Sequence, residues 1–505
     1  DPDILTQWVT LTATAAELWR ADYTYVEENH VRRVEKRTTA LGEGNVRLEV
    51  KESWLGTAPN VYARGRLKMK QGMDGIQTHY FYEETDQYGA LYKVTAETRI
   101  AGESVPGLSS RKVTYVSGQG NNMRYEQYAR LADGAWSMTD ASSYEYDVEN
   151  RWVKRTRANG RVYERMMTCC GPLWERDENG VTTSYSYNTA RQLVETIRSA
   201  VADGETMITP ETITSYTRDA LGKITSLRRD AGPMTTVESR EYDLLGRLIR
   251  ETDILGRTTV RSYSGDGLVE TVTTPAGATL ITRKSPSGAV VRRYGTGQQD
   301  ILYTVEATAE GIRTTEAVPG GEGGAPRVVT GSSTVNGFGD LVRIAAANTL
   351  NGENVRTLAY DDKGRLIREQ LADMAPTLYA YDAFGNRTRA IVALEDEPTI
   401  LNSRITDYAY VAESREDGIY RLVSITSYTS SGTPVLQKRA ALLSALSSVL
   451  AGKTVMTDPR GHDTVEWTEY GGGSVRLQKK TVPGVGSVAL TRVVDGFTTA
   501  VTGFD

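Results

Sequence analysis

The sequence predicts an all-β protein assembled from tandem β-hairpins, and three observations predict it. Tyrosine outnumbers phenylalanine 28 to 5, and glycine reaches 48 of 505 residues. Tyr, with the abundant Thr and Val, suits a pleated and half-wet surface, while Gly supplies the positive-φ positions that hairpin turns require. The unit Asp-x-x-Gly recurs seven times, bounded by Asp177 and Gly180, Asp219 and Gly222, Asp243 and Gly246, Asp253 and Gly256, Asp361 and Gly364, Asp382 and Gly385, and Asp458 and Gly461. Between Arg247 and Tyr263, short β-rich runs are separated by turn signals about every ten residues, which leaves no room for helices.

The repeated unit has a physical reason. Asp at the first position of a type I turn accepts hydrogen bonds from backbone N–H groups further along, and the fourth position, often left-handed, favours Gly. This is the common hairpin loop with a bulge at glycine, so each unit reads as the tip of one hairpin. Lys223, Arg247, Arg257 and Arg365 follow four of the glycines, and Tyr242, Tyr360 and Tyr381 precede three of the aspartates. The spacings from Tyr242 to Tyr263, Tyr360 to Tyr381, Gly246 to Gly267 and Gly364 to Gly385 are all 21 residues. Residues 178–196 follow the same grammar with Asn188 in place of Asp. A lone hairpin is marginal in water, so such units must stack on one another into a single body.

Taken in order, residues 1–140 carry strand-like alternation and many Tyr, such as Tyr80 and Tyr82, but few turns of this type. They are expected to be a divergent β-rich lead-in, with a separate β-domain as the rival. Residues 141–505 are the expected array, with clear copies at about 175–275 and 356–395 and degenerate ones elsewhere. Near 318–326 a Gly- and Pro-rich run predicts a flexible surface loop. At 438–450 the spacing of Ala441, Leu442, Ala445, Leu446, Val449 and Leu450 fits a short helix, and the surrounding repeat favours a divergent hairpin; both stay open.

The stretches Tyr-Asp-x-x-Gly-Arg-Leu at Tyr242 to Leu248 and Tyr360 to Leu366, with a variant at Tyr381 to Arg387, resemble the YD repeat of Rhs proteins. That repeat also occurs in the B and C components of insecticidal toxin complexes, in bacterial wall-associated proteins and in teneurins. The resemblance implies a ribbon of strands wound as a spiral into part of a large hollow shell, secreted or at a cell surface. It implies a polypeptide toxin cargo, or the remaining shell segments, as partners. The aspartyl self-cleavage site and variable toxin that close many bacterial relatives are not seen before Asp505.

Chemistry is poorly represented. His30, His79 and His462 are far apart and no His-Glu-x-x-His occurs, so no metal site is expected. There is no Gly-x-Ser-x-Gly elbow or phosphate-binding loop, and Gly484, Gly486 and Ala489 mimic a dinucleotide fingerprint without its strand and helix. Glu27 and Glu28, or Glu83 and Glu84, are adjacent acids that point to opposite faces of a strand, and so do not form a hydrolytic pair. The expected catalytic, cofactor and metal sites are therefore none. Lys and Arg (59) against Asp and Glu (64) give a net charge of −5 with the signs interleaved, which argues against nucleic acid; no apolar run is long enough to span a membrane. The missing initiator Met suggests a trimmed fragment. Cys169 and Cys170 are adjacent, and read as two thiols near a turn, a vicinal disulfide or a soft-metal contact. The function expected is a non-enzymatic shell segment. The alternatives are a cell-surface adhesion or carbohydrate-binding module, holding glycan or a neighbouring protein through exposed Tyr and Trp, and a polysaccharide-degrading enzyme.

Overall fold

The computed structural model describes residues 7–11, 17–41, 43–203, 206–319, 328–348, 352–372, 374–394, 399, 402–429, 431–445, 450–470, 475–482, 486–493 and 499–504. Among these, 39 strands form one antiparallel sheet. Each strand of that sheet pairs with its neighbours in the chain, from Gln7–Leu11 against Glu17–Glu28 to Gly486–Val493 against Thr499–Phe504. The one excursion is a two-stranded ribbon, Val201–Asp203 with Thr206–Thr209, while the flanking strands Leu193–Arg198 and Thr212–Arg218 pair directly. Strands are short where the repeat is clearest, five or six residues between 248 and 294, and reach 13 residues at Ser403–Arg415. The pairing runs through residue 140 without a break, because Trp136–Tyr146 bonds to Asn122–Arg130 on one side and Trp152–Arg157 on the other.

The segment left open between helix and hairpin is a strand, Pro434–Ala445, in register with Gly418–Tyr428. Its helical spacing loses to tertiary pairing: Ala440 is buried against Tyr420 and Val455, with Leu422 and Leu442 packed around them. Residues 446–449 lie outside the described residues, as does most of the expected loop near 318–326.

A single-layer sheet has little interior. The apolar clusters are small, for example Ala90, Val113 and Tyr115, and the chain exposes 28871 Å². A compact domain of this length would expose roughly 18,000 Å². Charge ladders across neighbouring strands take over part of the work. Glu97, 3% exposed, lies between Arg99 and Arg111, and Glu126, 5% exposed, accepts from Arg124, Tyr115 and Tyr128.

The ribbon also winds back onto itself. Gly337 N–H donates to the Leu41 carbonyl at 2.7 Å, and Ala132 N–H donates to Ala412 at 3.1 Å. The Arg47 guanidinium pairs with Asp340, a sequence separation of 293, and lies 3.9 Å over the Phe338 ring. Lys363 abuts Gly75, and Val411 abuts Gly107. Positions 41, 47, 75, 107 and 132 thus meet 337, 340, 363, 411 and 412 in the same order, which is the signature of a spiral. Counting strands along the meander puts the hairpin ends at 41–42, 72–76, 100–109 and 131–135 on one edge. Those at 336–340, 361–365 and 416–417 lie on the opposite edge. One edge of an early turn of the spiral therefore seats the other edge of a later turn. Leu442, Leu443 and Ala445 face Thr98, Tyr128 and Asp140 across a seam cavity of about 690 Å³.

Candidate functional site

The repeated chemistry sits at the hairpin ends. In the turn led by Asp243, Gly246 N–H donates to the Asp243 carbonyl at 2.8 Å, and Asp243 N–H donates to Arg247 O at 2.9 Å. One carboxylate oxygen accepts from the amides of Leu245 and Arg247, and the other accepts from Arg247 Nε at 2.7 Å. All five contacts are local, so the five residues 243–247 close the turn without help from the rest of the fold. Gly246 has φ +75°, a left-handed conformation in which a Cβ is strained.

The other six units have the same form. At Asp177, Asp219, Asp253, Asp361, Asp382 and Asp458 the backbone carbonyl accepts from Gly180, Gly222, Gly256, Gly364, Gly385 and Gly461 at 2.9 to 3.1 Å. Each of those glycines has positive φ. The Arg247 amide, then its guanidinium, holds the Asp243 carboxyl below the usual carboxylate range; at Asp253 the Arg257 guanidinium leads. Burial pushes Asp361 up, but the hydrogen bonds from Arg365 outweigh it and the net shift is downward.

Tyrosine and arginine lace one hairpin to the next. The hydroxyls of Tyr242, Tyr263, Tyr360 and Tyr381 donate to the carbonyls of Ile224, Leu248, Leu341 and Leu366, each at the start of a preceding strand, at 2.8 to 3.2 Å. In the forward direction, Arg247 lies 4.4 Å over the Tyr263 ring and Arg365 lies 5.1 Å over Tyr381. Arg365 also donates to the Asp382 carbonyl of the next tip at 2.7 Å. The residues that recur at fixed spacing are thus those that touch across one repeat period.

Sequence reasoning missed the tips led by other oxygen-bearing residues. Ser264, Thr274, Ser285, Asn336 and Thr429 accept from Gly267, Gly277, Gly288, Gly339 and Gly432 in the same way. At Asn188 and Asp147 the left-handed position is taken by Arg191 and Asn150 instead of Gly. The usable signal was any Asp, Asn, Ser or Thr three residues before Gly.

One member of each adjacent acid pair is engaged. Glu27 pairs with Arg32 and Glu83 with Lys93. A cavity of about 480 Å³ is lined by Glu97, Arg99, Arg111, Tyr115, Glu126 and Tyr128. Burial pushes both carboxyls up, yet their guanidinium and tyrosine partners prevail and both stay below the usual range. Burial, then Glu126, pushes Tyr115 up to about 12. Carboxylates held ionised and phenols held protonated suit a permanent hydrogen-bonded lattice better than proton transfer near neutrality. Among the described residues no three His, Cys, Asp or Glu side chains are grouped to hold a metal, and no helix is long and apolar enough to cross a membrane.

Residues 242–279, which begin at the Tyr242 tip and run through the three turns after it, match the RHS Repeat family. This segment carries an RHS repeat. A search of curated proteins gives no match. Among solved structures, the crystal structure of TcdB2-TccC3-Cdc42 aligns with 92% of this chain and 33% of its own, at 10% identity and TM-score 0.35. That of TcdB2-TccC3 aligns with 96% and 37%, at 10% identity and TM-score 0.34. The Tc holotoxin pore of Photorhabdus luminescens aligns with 95% and 33%, at 11% identity and TM-score 0.25. The chain spans about a third of the length of each of these structures.

Proposed function

We propose that this chain is a wall segment of a hollow, non-enzymatic shell, in a secreted or cell-surface protein, that encloses or presents a polypeptide cargo. The observation that carries the reading is the seam. A one-strand-thick ribbon whose early edge seats its own later edge makes a curved wall, and a wall with so little interior of its own divides an inside from an outside. The RHS repeat at 242–279 supports the same reading. Residues 1–140 belong to this wall as divergent repeats leading into the array. The Asp-x-x-Gly residues act in it as structural turns, with no catalytic part. The paired state of the acidic residues favours this reading over a polysaccharide-degrading enzyme, and nothing among the described exposed aromatic residues favours a glycan-binding module.

Electron microscopy of the purified chain tests the wall. Curved or ring-like particles around a void are expected, and straight ribbons or solid globules would overturn the proposal. Protease challenge of the full gene product tests the cargo. An enclosed polypeptide resists cleavage until the wall is unfolded, and a polypeptide digested at the same rate with the wall intact would remove the enclosure.

A further inference from the structure

The hairpin end at 168–171 differs from the others because its tip carries the chain's two cysteines. Thr168 N–H donates to the Gly171 carbonyl at 2.7 Å, and Cys170 N–H donates to Thr168 Oγ1 at 3.2 Å. Arg151, from the preceding end on the same edge, donates to the Thr168 carbonyl at 2.9 Å. Behind the tip, Gly171 has φ +151°, and a Cβ there would lie 2.4 Å from the Tyr187 hydroxyl oxygen. The loop is therefore gripped from both sides. It presents the two sulfur atoms 3.0 Å apart, with Cys169 exposed.

Neighbouring Cα atoms across a trans peptide are about 3.8 Å apart, closer than the ~4.4 Å lower limit of ordinary disulfides, so a direct sulfur–sulfur bond here is strained. A larger atom bridging the two sulfurs removes that strain. Zinc is a poor candidate for the bridge, since structural zinc takes four protein ligands and no group of three donors is found among the described residues. A centre that needs two thiolates and brings its own third substituent fits the pair.

We propose that Cys169 and Cys170 form a vicinal dithiol site that chelates one thiophilic trivalent centre of the arsenic(III) class. With an aryl arsine oxide the step balances without any redox change. Two S–H bonds and the bonds from arsenic to the oxide oxygen break, and two As–S bonds form. Both thiol protons leave with that oxygen as water.

The test uses the full reduced chain and phenylarsine oxide. Because the chain has only these two cysteines, stoichiometry is read directly from intact mass. One arylarsenic adduct per chain is expected. It should persist in excess 2-mercaptoethanol and be removed by 2,3-dimercaptopropanol. Cys169→Ser and Cys170→Ser should each weaken retention about 100-fold, the usual gain from making the second bond intramolecular. Two adducts per chain, or an adduct that the monothiol strips from the unaltered protein as readily as from the single variants, would overturn the site. The contrast between monothiol and dithiol on the unaltered protein decides the matter even where a variant folds poorly.

Discussion

The hairpin end at 336–340 and the one at 243–247 are built by the same local bonds and live in opposite surroundings. In both, the first residue's side-chain oxygen accepts from amides two and four residues on. Asn336 is 2% exposed beneath the neighbouring turn of the spiral, whereas Leu244 at the open tip is 99% exposed. The sealed tip uses the neutral Asn where the open tip uses Asp. That choice has a reason: the seam already buries the Arg47 and Asp340 pair, and a second carboxylate there would lack a cation. Turn formation is therefore a property of five residues, and sealing is a property of what lies above them.

Substitutions can break that comparison. Gly337→Val should have the largest effect, because a Cβ at this position would lie 2.0 Å from the Leu18 carbonyl oxygen and 2.7 Å from Leu41 N. Overpacking together with the lost amide bond should cost about 3 kcal/mol in a denaturant melt, and small-angle scattering should report an opened spiral. An unchanged scattering profile would remove Gly337 from the seam. Arg47→Met leaves Asp340 unpaired at a partly screened position and should cost about 2 kcal/mol; adding Asp340→Leu should restore much of it. If the double variant is as unstable as the single one, the pair does not hold the turns together.

At the open tip, Gly246→Val should cost about 1 to 2 kcal/mol, mainly from left-handed strain because the flexible end of Lys223, 2.6 Å from the new Cβ, can give way, with scattering unchanged. Hydrogen exchange should rise only near 240–250, and a global change would contradict a local turn. Smaller still, Tyr263→Phe removes the bond to the Leu248 carbonyl and should cost about 1 kcal/mol.

Acid and alkali attack different parts. Asp243, Asp253 and Asp361 are held below their ordinary value, near 3.9 when unfolded. Their contribution is whole above that value and is lost as pH falls through the lower folded values, so the melting temperature should drop below about pH 4. Burial pushes Tyr115 and Tyr163 up to about 12, against about 10 when unfolded. Their contribution is whole below about pH 10 and fades as pH rises toward 12. Ultraviolet titration should show a late-ionising group of tyrosines, and one uniform step near 10 would contradict their burial.

What could be read in the sequence divides along the same line. The tips led by Asp177, Asp243 or Asp361 were legible because donor, acceptor and glycine fall within five residues. The lacing of Tyr263 to Leu248 was half legible: the 21-residue period was visible, but the carbonyl that the hydroxyl reaches carries no side-chain signature. The seam was illegible, since nothing near Arg47 marks a partner 293 residues away. Helical spacing around Leu442 left the segment open for a related reason, because the register against Tyr420 is set by a different strand. Cys169 and Cys170 were visible as a pair, but their 3.0 Å separation depends on how Thr168 and Gly171 close the loop.

Pairing between sequence neighbours also sets a timetable. At synthesis rates of about 5–20 residues per second, a 20-residue repeat takes about 1–4 s to emerge. A hairpin forms in about 1–10 μs, so the ribbon can be knitted as fast as it is made. The Arg47 and Asp340 contact cannot be tried until the residues separating them have been translated, roughly 15–60 s later at the same rates. Closing a flexible loop of that length would cost roughly 5 kcal/mol in entropy, but strands already paired into a curved ribbon have surrendered most of that freedom beforehand. Winding thus trails hairpin formation along the chain, and its rate should follow translation more closely than hairpin formation.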